Sequence, residues 1–151
     1  MFSQTTQKET YMKTAKQLSV FLENKSGQLE ELLKILAAEK INIFSASLAD
    51  TNDFGVLRIL VNDTDKAYRV LKEKGITSKA NDVIGVSVPN QIGGLHKVAA
   101  LILGAGINIS YIYGLSVANG GANIVMKTDD QDKTVKLLAD NGIVLLKQED
   151  L

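Results

Sequence analysis

The chain has 151 residues, of which 45% are hydrophobic and 23% charged, a composition typical of a folded globular protein rather than a disordered one. Its 17 basic residues (Lys and Arg) balance its 17 acidic residues (Asp and Glu), so it has no excess positive charge with which to bind a nucleic-acid backbone. It contains no Cys, which excludes disulfides, thiolate metal sites and a cysteine nucleophile and fits a reducing cytoplasm.

The first 14 residues are mostly polar and lack the apolar core of a signal peptide. We expect residues 1–14 to be a disordered arm or a tag and assign them no function. No later apolar run approaches the roughly 18 residues of a membrane-spanning helix. The sequence therefore predicts a cytoplasmic protein with no membrane partner.

The rest of the chain consists of two similar copies, which predict one domain at 15–82 and a second at 83–151. Identical residues recur at a constant offset, and one additional residue is inserted midway through the second copy. The first set of identities pairs Asn24, Gly27, Leu29, Ile41, Asn42 and Ile43 with Asn90, Gly93, Leu95, Ile107, Asn108 and Ile109. The second set, after the insertion, pairs Asp65, Lys66, Leu71, Gly75 and Ile76 with Asp132, Lys133, Leu138, Gly142 and Ile143.

Each copy begins with an apolar strand, at 17–22 and 84–88, followed by an amphipathic helix. Apolar residues at helical spacing predict a stripe that is buried in the core. These residues are Leu29, Leu32, Leu33 and Leu36 in the first copy and Leu95, Val98, Ala99, Ile102 and Ala105 in the second.

Two further strands follow, at 42–49 and 54–61 in the first copy, joined by a polar turn. A second helix then starts near Asp63 or Asp130, whose carboxylates can cap free N–H groups, and ends at Gly75 or Gly142 before a final strand. The order βαββαβ predicts an α+β fold of two tandem ferredoxin-like sandwiches. In each, a four-stranded antiparallel sheet carries two helices on one face. No Gly, Ser or Pro linker separates the copies, which favours packed domains.

The sequence contains no recognisable catalytic or metal-binding pattern. His96 is the only histidine and lacks the partners of a catalytic triad, so we interpret it as a surface residue. The acidic run at 129–132 lacks the glycine and terminal glutamate of a calcium loop and is better explained by helix capping. Tyr111 and Tyr113 could stack on nucleic-acid bases, but the basic surroundings are missing. We predict a protein that is not an enzyme and that requires no metal or cofactor.

The junction between the first strand and the first helix is the best candidate site in each copy. A glycine at a helix entrance lets a ligand approach the backbone, and the free N–H groups of the first turn attract a carboxylate. Helix capping by Asn24 and Ser26, with Gly27 only permitting the turn, explains the same residues equally well. Asn42 and Asn108, at the start of the next strand, favour a shared pocket.

Both copies resemble the ACT domain, a ligand-sensing module of amino-acid metabolism, over about residues 16–148. The resemblance lies in the strand ending in Asn-x-x-Gly-x-Leu, the amphipathic helix and the Ile-Asn-Ile entry to the second strand. It implies effector binding between paired modules, with the helix start of one module facing the second strand of its neighbour. The implied ligand-binding residues are Asn24, Ser26, Gly27, Leu29, Asn42, Ile43, Asn90, Ile92, Gly93, Leu95, Asn108 and Ile109.

The resemblance is to stand-alone tandem ACT proteins, and it implies a regulatory protein that binds an amino acid. The expected partners are a second copy in a homodimer and an enzyme of amino-acid metabolism. Ile43, Ile109, Tyr111 and Tyr113 favour an apolar or aromatic ligand, although the same residues suit a core. The alternative is an adaptor whose ACT fold serves assembly alone.

Overall fold

The computed structural model describes residues 14–23, 25–50, 53–115 and 121–150. The expected N-terminal arm, apart from Thr14, lies outside the described residues, and so does the predicted site residue Asn24. The chain forms two compact units, one spanning Lys16–Asn81 and the other containing the chain from Asp82 onward.

The first unit has the predicted βαββαβ order. Its elements are β1 (Ala15–Glu23), α1 (Gln28–Ala38), β2 (Ile43–Asp50), β3 (Phe54–Val61), α2 (Thr64–Glu73) and the beginning of β4 (Ser78–Val88). β3 pairs antiparallel with both β1 and β2. The Phe21 N–H donates to the Thr77 carbonyl at 3.0 Å, which lays the start of β4 beside the end of β1.

The second unit repeats this order from the remainder of β4 onward. Its further elements are α3 (Gly94–Gly104), β5 (Ile109–Leu115), β6 (Ala122–Thr128), α4 (Gln131–Asp140) and β7 (Val144–Leu146), followed by a 3₁₀ turn at Gln148–Asp150. The antiparallel pairings give the strand order β7-β4-β6-β5. This confirms the predicted ferredoxin-like architecture.

The second helix of each unit begins as the sequence predicts. The Oδ1 atoms of Asp63 and Asp130 accept hydrogen bonds at 3.1 Å from the backbone N–H groups of Lys66 and Lys133. These carboxylates satisfy donors that have no partner within the helix and oppose the positive end of its dipole.

Each unit has its own hydrophobic core between sheet and helices. Leu18 and Val20 of β1 point towards the helices of the first unit, and Ile84 and Val86 of β4 do the same in the second. The first core also contains Leu32 and Leu36 of α1, together with Leu57, Ile59, Val61, Ala67 and Leu71.

The prediction that both helix stripes are buried is wrong for two residues. Leu33 is 38% exposed and Leu95 is 46% exposed, whereas Leu32 and Leu36 are buried. Successive helical residues are rotated by about 100°, so the face of α1 that packs on the sheet is too narrow to include both Leu32 and Leu33. Leu29, Ala99 and Ala105 are half-buried, and Val98 and Ile102 are buried as predicted.

Candidate functional site

An open groove of about 880 Å³ lies at the start of α1 in the first unit. The end of β1, the first turns of α1 and the segment 74–77 surround it. Its lining residues are Phe21, Leu22, Glu23, Lys25, Ser26, Gly27, Gln28, Glu30, Glu31, Leu32, Ile35, Phe54, Lys74, Gly75, Ile76 and Thr77. The groove therefore includes the predicted residues Ser26 and Gly27.

Gly27 is the N-cap of α1 and adopts a left-handed backbone with φ 87° and ψ −7°. A side chain is strained in that conformation, which accounts for the glycine. The cap makes no side-chain hydrogen bond, so the interpretation of Ser26 as the capping residue is wrong. The first N–H groups of a helix have no partner within it and carry the positive end of the dipole. This end of the groove is consequently suited to a carboxylate.

The rim of the groove carries charges of both signs. Lys25 Nζ lies 2.7 Å from Glu23 Oε2, and both side chains are exposed. The hydrogen bond from Lys25, and then its positive charge, lower the pKa of Glu23, while the same two effects from Glu23 raise the pKa of Lys25. Glu30 and Glu31 add carboxylates in the first turn of α1. The rim can thus pair with an ammonium group as well as with a carboxylate.

An aromatic pair provides an apolar wall. The rings of Phe21 and Phe54 meet edge to face with centroids 6.3 Å apart, and both remain about 40% exposed. Ile76 lines the groove nearby and is half-buried. Sequence reasoning missed these three residues, because they come from separate strands and a connecting loop that only the fold brings together.

The other predicted residues of the first unit do not line this groove. Asn42 follows the far end of α1, and its backbone exchanges hydrogen bonds with Asn62, accepting from the Asn62 N–H at 3.1 Å and donating to Asn62 Oδ1 at 2.9 Å. Its side chain is exposed. Ile43 is half-buried against the core, and Leu29 is also half-buried.

The second unit has the same backbone at its helix start but different side chains around it. Gly93 is a left-handed N-cap with φ 81°, and Asn90 is exposed. Ile92 is fully exposed and Leu95 is 46% exposed. The repeat places Pro89, Gln91 and Asn141 where the first unit has Glu23, Lys25 and Lys74. This end of the second unit is therefore more apolar.

The entry to the second strand is also repeated. The backbone of Asn108 exchanges 3.1 Å hydrogen bonds with Asp129, just as Asn42 does with Asn62. Ile109 is half-buried against the second core. Tyr111 and Tyr113 stack along β5 with centroids 6.3 Å apart and an interplanar angle of 18°.

His96 is exposed on α3, in agreement with its interpretation as a surface residue. Within the part of the chain that the structure describes, no cluster of three or more His, Asp or Glu residues is placed to hold a metal ion. Among the same residues, no helix is long and apolar enough to cross a membrane.

Comparison with known proteins shows which family shares this fold. The family model described as an ACT domain pair matches residues 13–151. Protein BT0572 from Bacteroides thetaiotaomicron is 42% identical, with a TM-score of 0.85, and the match covers 91% of this chain and 94% of that one. A comparison with curated proteins gave no match.

Two regulatory subunits of aspartate kinase share the fold at lower identity. The subunit from Thermus thermophilus is 12% identical with a TM-score of 0.58, and the match covers 83% of this chain and 90% of that one. The subunit from Thermus flavus is 10% identical with a TM-score of 0.55 and has the same coverage.

Proposed function

We propose that this chain, which belongs to the ACT domain pair family, binds a free amino acid at the groove of its first unit and acts as a regulatory protein without catalytic activity of its own. The observation that carries this proposal is the groove at the left-handed Gly27 turn. It combines a helix start, charges of both signs and an aromatic wall within one cavity. An α-amino acid has a matching carboxylate, ammonium group and side chain.

The distribution of groups suggests how the ligand is held. The ligand carboxylate binds the first turn of α1 and Lys25, because both offer positive charge. The ammonium group pairs with Glu23 or with the carboxylates of Glu30 and Glu31. Phe21 and Phe54 favour an apolar or aromatic side chain in the ligand.

The remaining predicted site residues are proposed to contribute to the site where two modules pair with each other. Asn42 and Ile43, and their counterparts Asn108 and Ile109, begin strands that can face the helix start of a neighbouring module in an assembly. We include Gly93 and Ile92 as the corresponding loop of a second site, which is more apolar than the first. The regulated partner is then an enzyme of amino-acid metabolism, and the location is cytoplasmic.

Isothermal titration of the twenty amino acids, starting with the branched and aromatic ones, tests the proposal directly. The wild-type protein is expected to bind at least one, and Gly27→Val is expected to abolish binding because its side chain fills the approach to the helix start. Ligand at 100 times its dissociation constant should also raise the free energy of unfolding by about 2.7 kcal/mol.

Gly142→Val is the matched control. Gly142 has φ 73° and open space around its Cβ position, so the substitution imposes the same backbone strain as at Gly27, and it does not line the groove. It should retain binding. If the wild-type protein binds none of the amino acids, the result would instead favour an adaptor that serves assembly alone. Equal loss of binding in both variants would show that backbone strain, not the groove, is responsible.

A further inference from the structure

A second, smaller cavity of about 270 Å³ lies in the first unit, between α2 and the start of β4. We call it the α2 pocket. Its lining residues are Tyr68, Lys72, Gly75, Ile76, Thr77 and Ser78. The segment 75–77 also lines the groove, so it borders both cavities. Tyr68, Lys72 and Ser78 line the α2 pocket alone.

The polar groups that line the α2 pocket are hydrogen-bond donors. Lys72 contributes an ammonium group, and the other polar lining residues contribute three hydroxyls, each of which can donate. None of these six lining residues is acidic, whereas the lining of the groove includes three glutamates. A set of donors with a cation and without a carboxylate suits an anion.

The Ser78 hydroxyl is a buried group that the fold leaves unsatisfied. Its Oγ atom is buried and has no hydrogen-bond partner among the residues that the structure describes. Burying a hydroxyl without a partner costs free energy, and most buried polar groups are therefore paired. Rotation about χ1 carries a serine hydroxyl between staggered positions, so an acceptor in the α2 pocket can supply the partner.

The second unit fills the corresponding place with apolar side chains. The repeat pairs Tyr68, Lys72, Thr77 and Ser78 with Val135, Ala139, Val144 and Leu145. Val135 belongs to the second core, and Leu145 packs against that core. The fold therefore does not require polar side chains here, and the donors of the first unit indicate a ligand rather than a structural need.

Basic residues are also concentrated in the segment that forms the α2 pocket. Residues 69–79 contain four basic residues and one acidic residue, whereas residues 136–146 contain one of each. A positive local field attracts anions. The N–H groups of residues 74–76 donate to the last carbonyls of α2 at 2.9–3.1 Å, which limits the repulsion between this helix end and an anion.

We propose that the α2 pocket is a second ligand site of the first unit, which binds the oxyanion group, either phosphate or carboxylate, of a small ligand. Lys72 supplies the positive charge, and the hydroxyls of Tyr68 and Ser78 donate to the oxygens of the anion. The volume of about 270 Å³ suits a ligand smaller than a drug-sized molecule. This site does not depend on amino-acid binding in the groove.

NMR titration of the full chain tests the site. Sodium phosphate and sodium succinate are added in separate titrations, and sodium chloride at the same ionic strength controls for a general salt effect. At least one of the two oxyanions should produce saturable shifts in the amide signals of residues 68–78. A response to phosphate alone assigns a phosphate-bearing ligand, and a response to succinate alone assigns a carboxylate. No saturable shift with either would overturn the proposal.

Lys72→Met should raise the dissociation constant of the responding anion at least about 10-fold, because it removes the positive charge and keeps most of the apolar stem. Lys34→Met is the matched control, since Lys34 is an exposed lysine of α1 that lines neither cavity. It should leave the affinity unchanged. Equal affinity of the wild-type protein and Lys72→Met would overturn the site.

Ser78→Ala separates ligand binding from a structural role of the hydroxyl. It should raise the dissociation constant about 10-fold, while the urea midpoint measured without the anion stays the same or rises, because a buried hydroxyl without a partner is removed. A lower urea midpoint together with unchanged affinity would overturn the role of Ser78 in the site. Circular dichroism checks that each variant is folded.

The location of the shifts separates this site from the proposed function. Saturable shifts centred on residues 25–31 would place the anion at the start of α1 and would overturn the α2 pocket as its site. Failure of the protein to bind any amino acid would overturn the proposed function and would leave saturable shifts at residues 68–78 as support for the α2 pocket.

Discussion

Lys66 donates a hydrogen bond from Nζ to the backbone carbonyl of Glu39 at 2.8 Å, joining the first turn of α2 to the C-terminal end of α1. The second unit repeats the relationship, with Lys133 Nζ 3.2 Å from the carbonyl of Ala105. An ammonium group at a helix C-terminus satisfies an unpaired carbonyl and opposes the negative end of the dipole. This contact explains why the two copies share a lysine at this position.

Replacing this lysine should weaken the packing of the two helices. We expect Lys66→Met to lower the free energy of unfolding by about 0.5–1 kcal/mol, since methionine keeps most of the apolar stem but loses the charge. Urea denaturation measures the change, and Lys34→Met, an exposed lysine of α1, is the control. An effect no larger than that of the control would show that the hydrogen bond contributes nothing to stability.

Leu36 and Leu33 should respond very differently to truncation. Leu36 is fully buried, so Leu36→Ala should cost about 2–5 kcal/mol through lost transfer energy and the cavity left behind. Leu33 is 38% exposed, and Leu33→Ala should cost about 1 kcal/mol. Thermal or chemical unfolding measures the loss of stability in the two variants. Equal costs would contradict the orientation of α1 on its sheet.

Two glycines of α3 should have opposite effects when replaced by alanine. A Cβ at Gly94 would overlap the carbonyl oxygen of Pro89, so Gly94→Ala should destabilise the protein by about 1–3 kcal/mol. A Cβ at Gly104 meets nothing, and Gly104→Ala should stabilise it by about 0.5–1 kcal/mol through the higher helix propensity of alanine. Chemical denaturation at one protein concentration measures both, and destabilisation by Gly104→Ala would contradict the open surroundings of that residue.

The ion pair at the groove rim should be visible in the titration of Glu23. Lys25 lowers the pKa of Glu23. The ion pair is therefore fully formed at pH values above the ordinary pKa range of glutamate, and it is lost as the pH falls through the lowered pKa of the folded state. The pKa of Lys25 is raised, so the pairing is also lost as the pH rises through that value. NMR titration of the Glu23 carboxyl should show a higher pKa in Lys25→Gln, whereas Lys25→Arg should keep it low. An unchanged pKa in Lys25→Gln would contradict the pair.

The repeated architecture could be predicted from the sequence because its signals are local. The apolar spacing of the helices, Asp63 and Asp130 at their N-caps, and the recurring Ile-Asn-Ile triplets each lie within a few residues of one another. Local patterns of this kind fix the period and the ends of an element before any long-range contact forms. Element order then leaves few topologies open, and the ferredoxin-like arrangement is one of them.

The site and the exposed surfaces were decided by tertiary structure. Phe21 and Phe54 lie far apart in the sequence and meet only because β1 and β3 pair antiparallel in a particular register. Leu33 and Leu36 have the same residue type and a helical spacing, yet the sheet covers only Leu36. Sequence periodicity identifies which residues can be buried. The width of the packed face, set by the neighbouring strands, determines which of them are buried and which remain available to a ligand or a second copy.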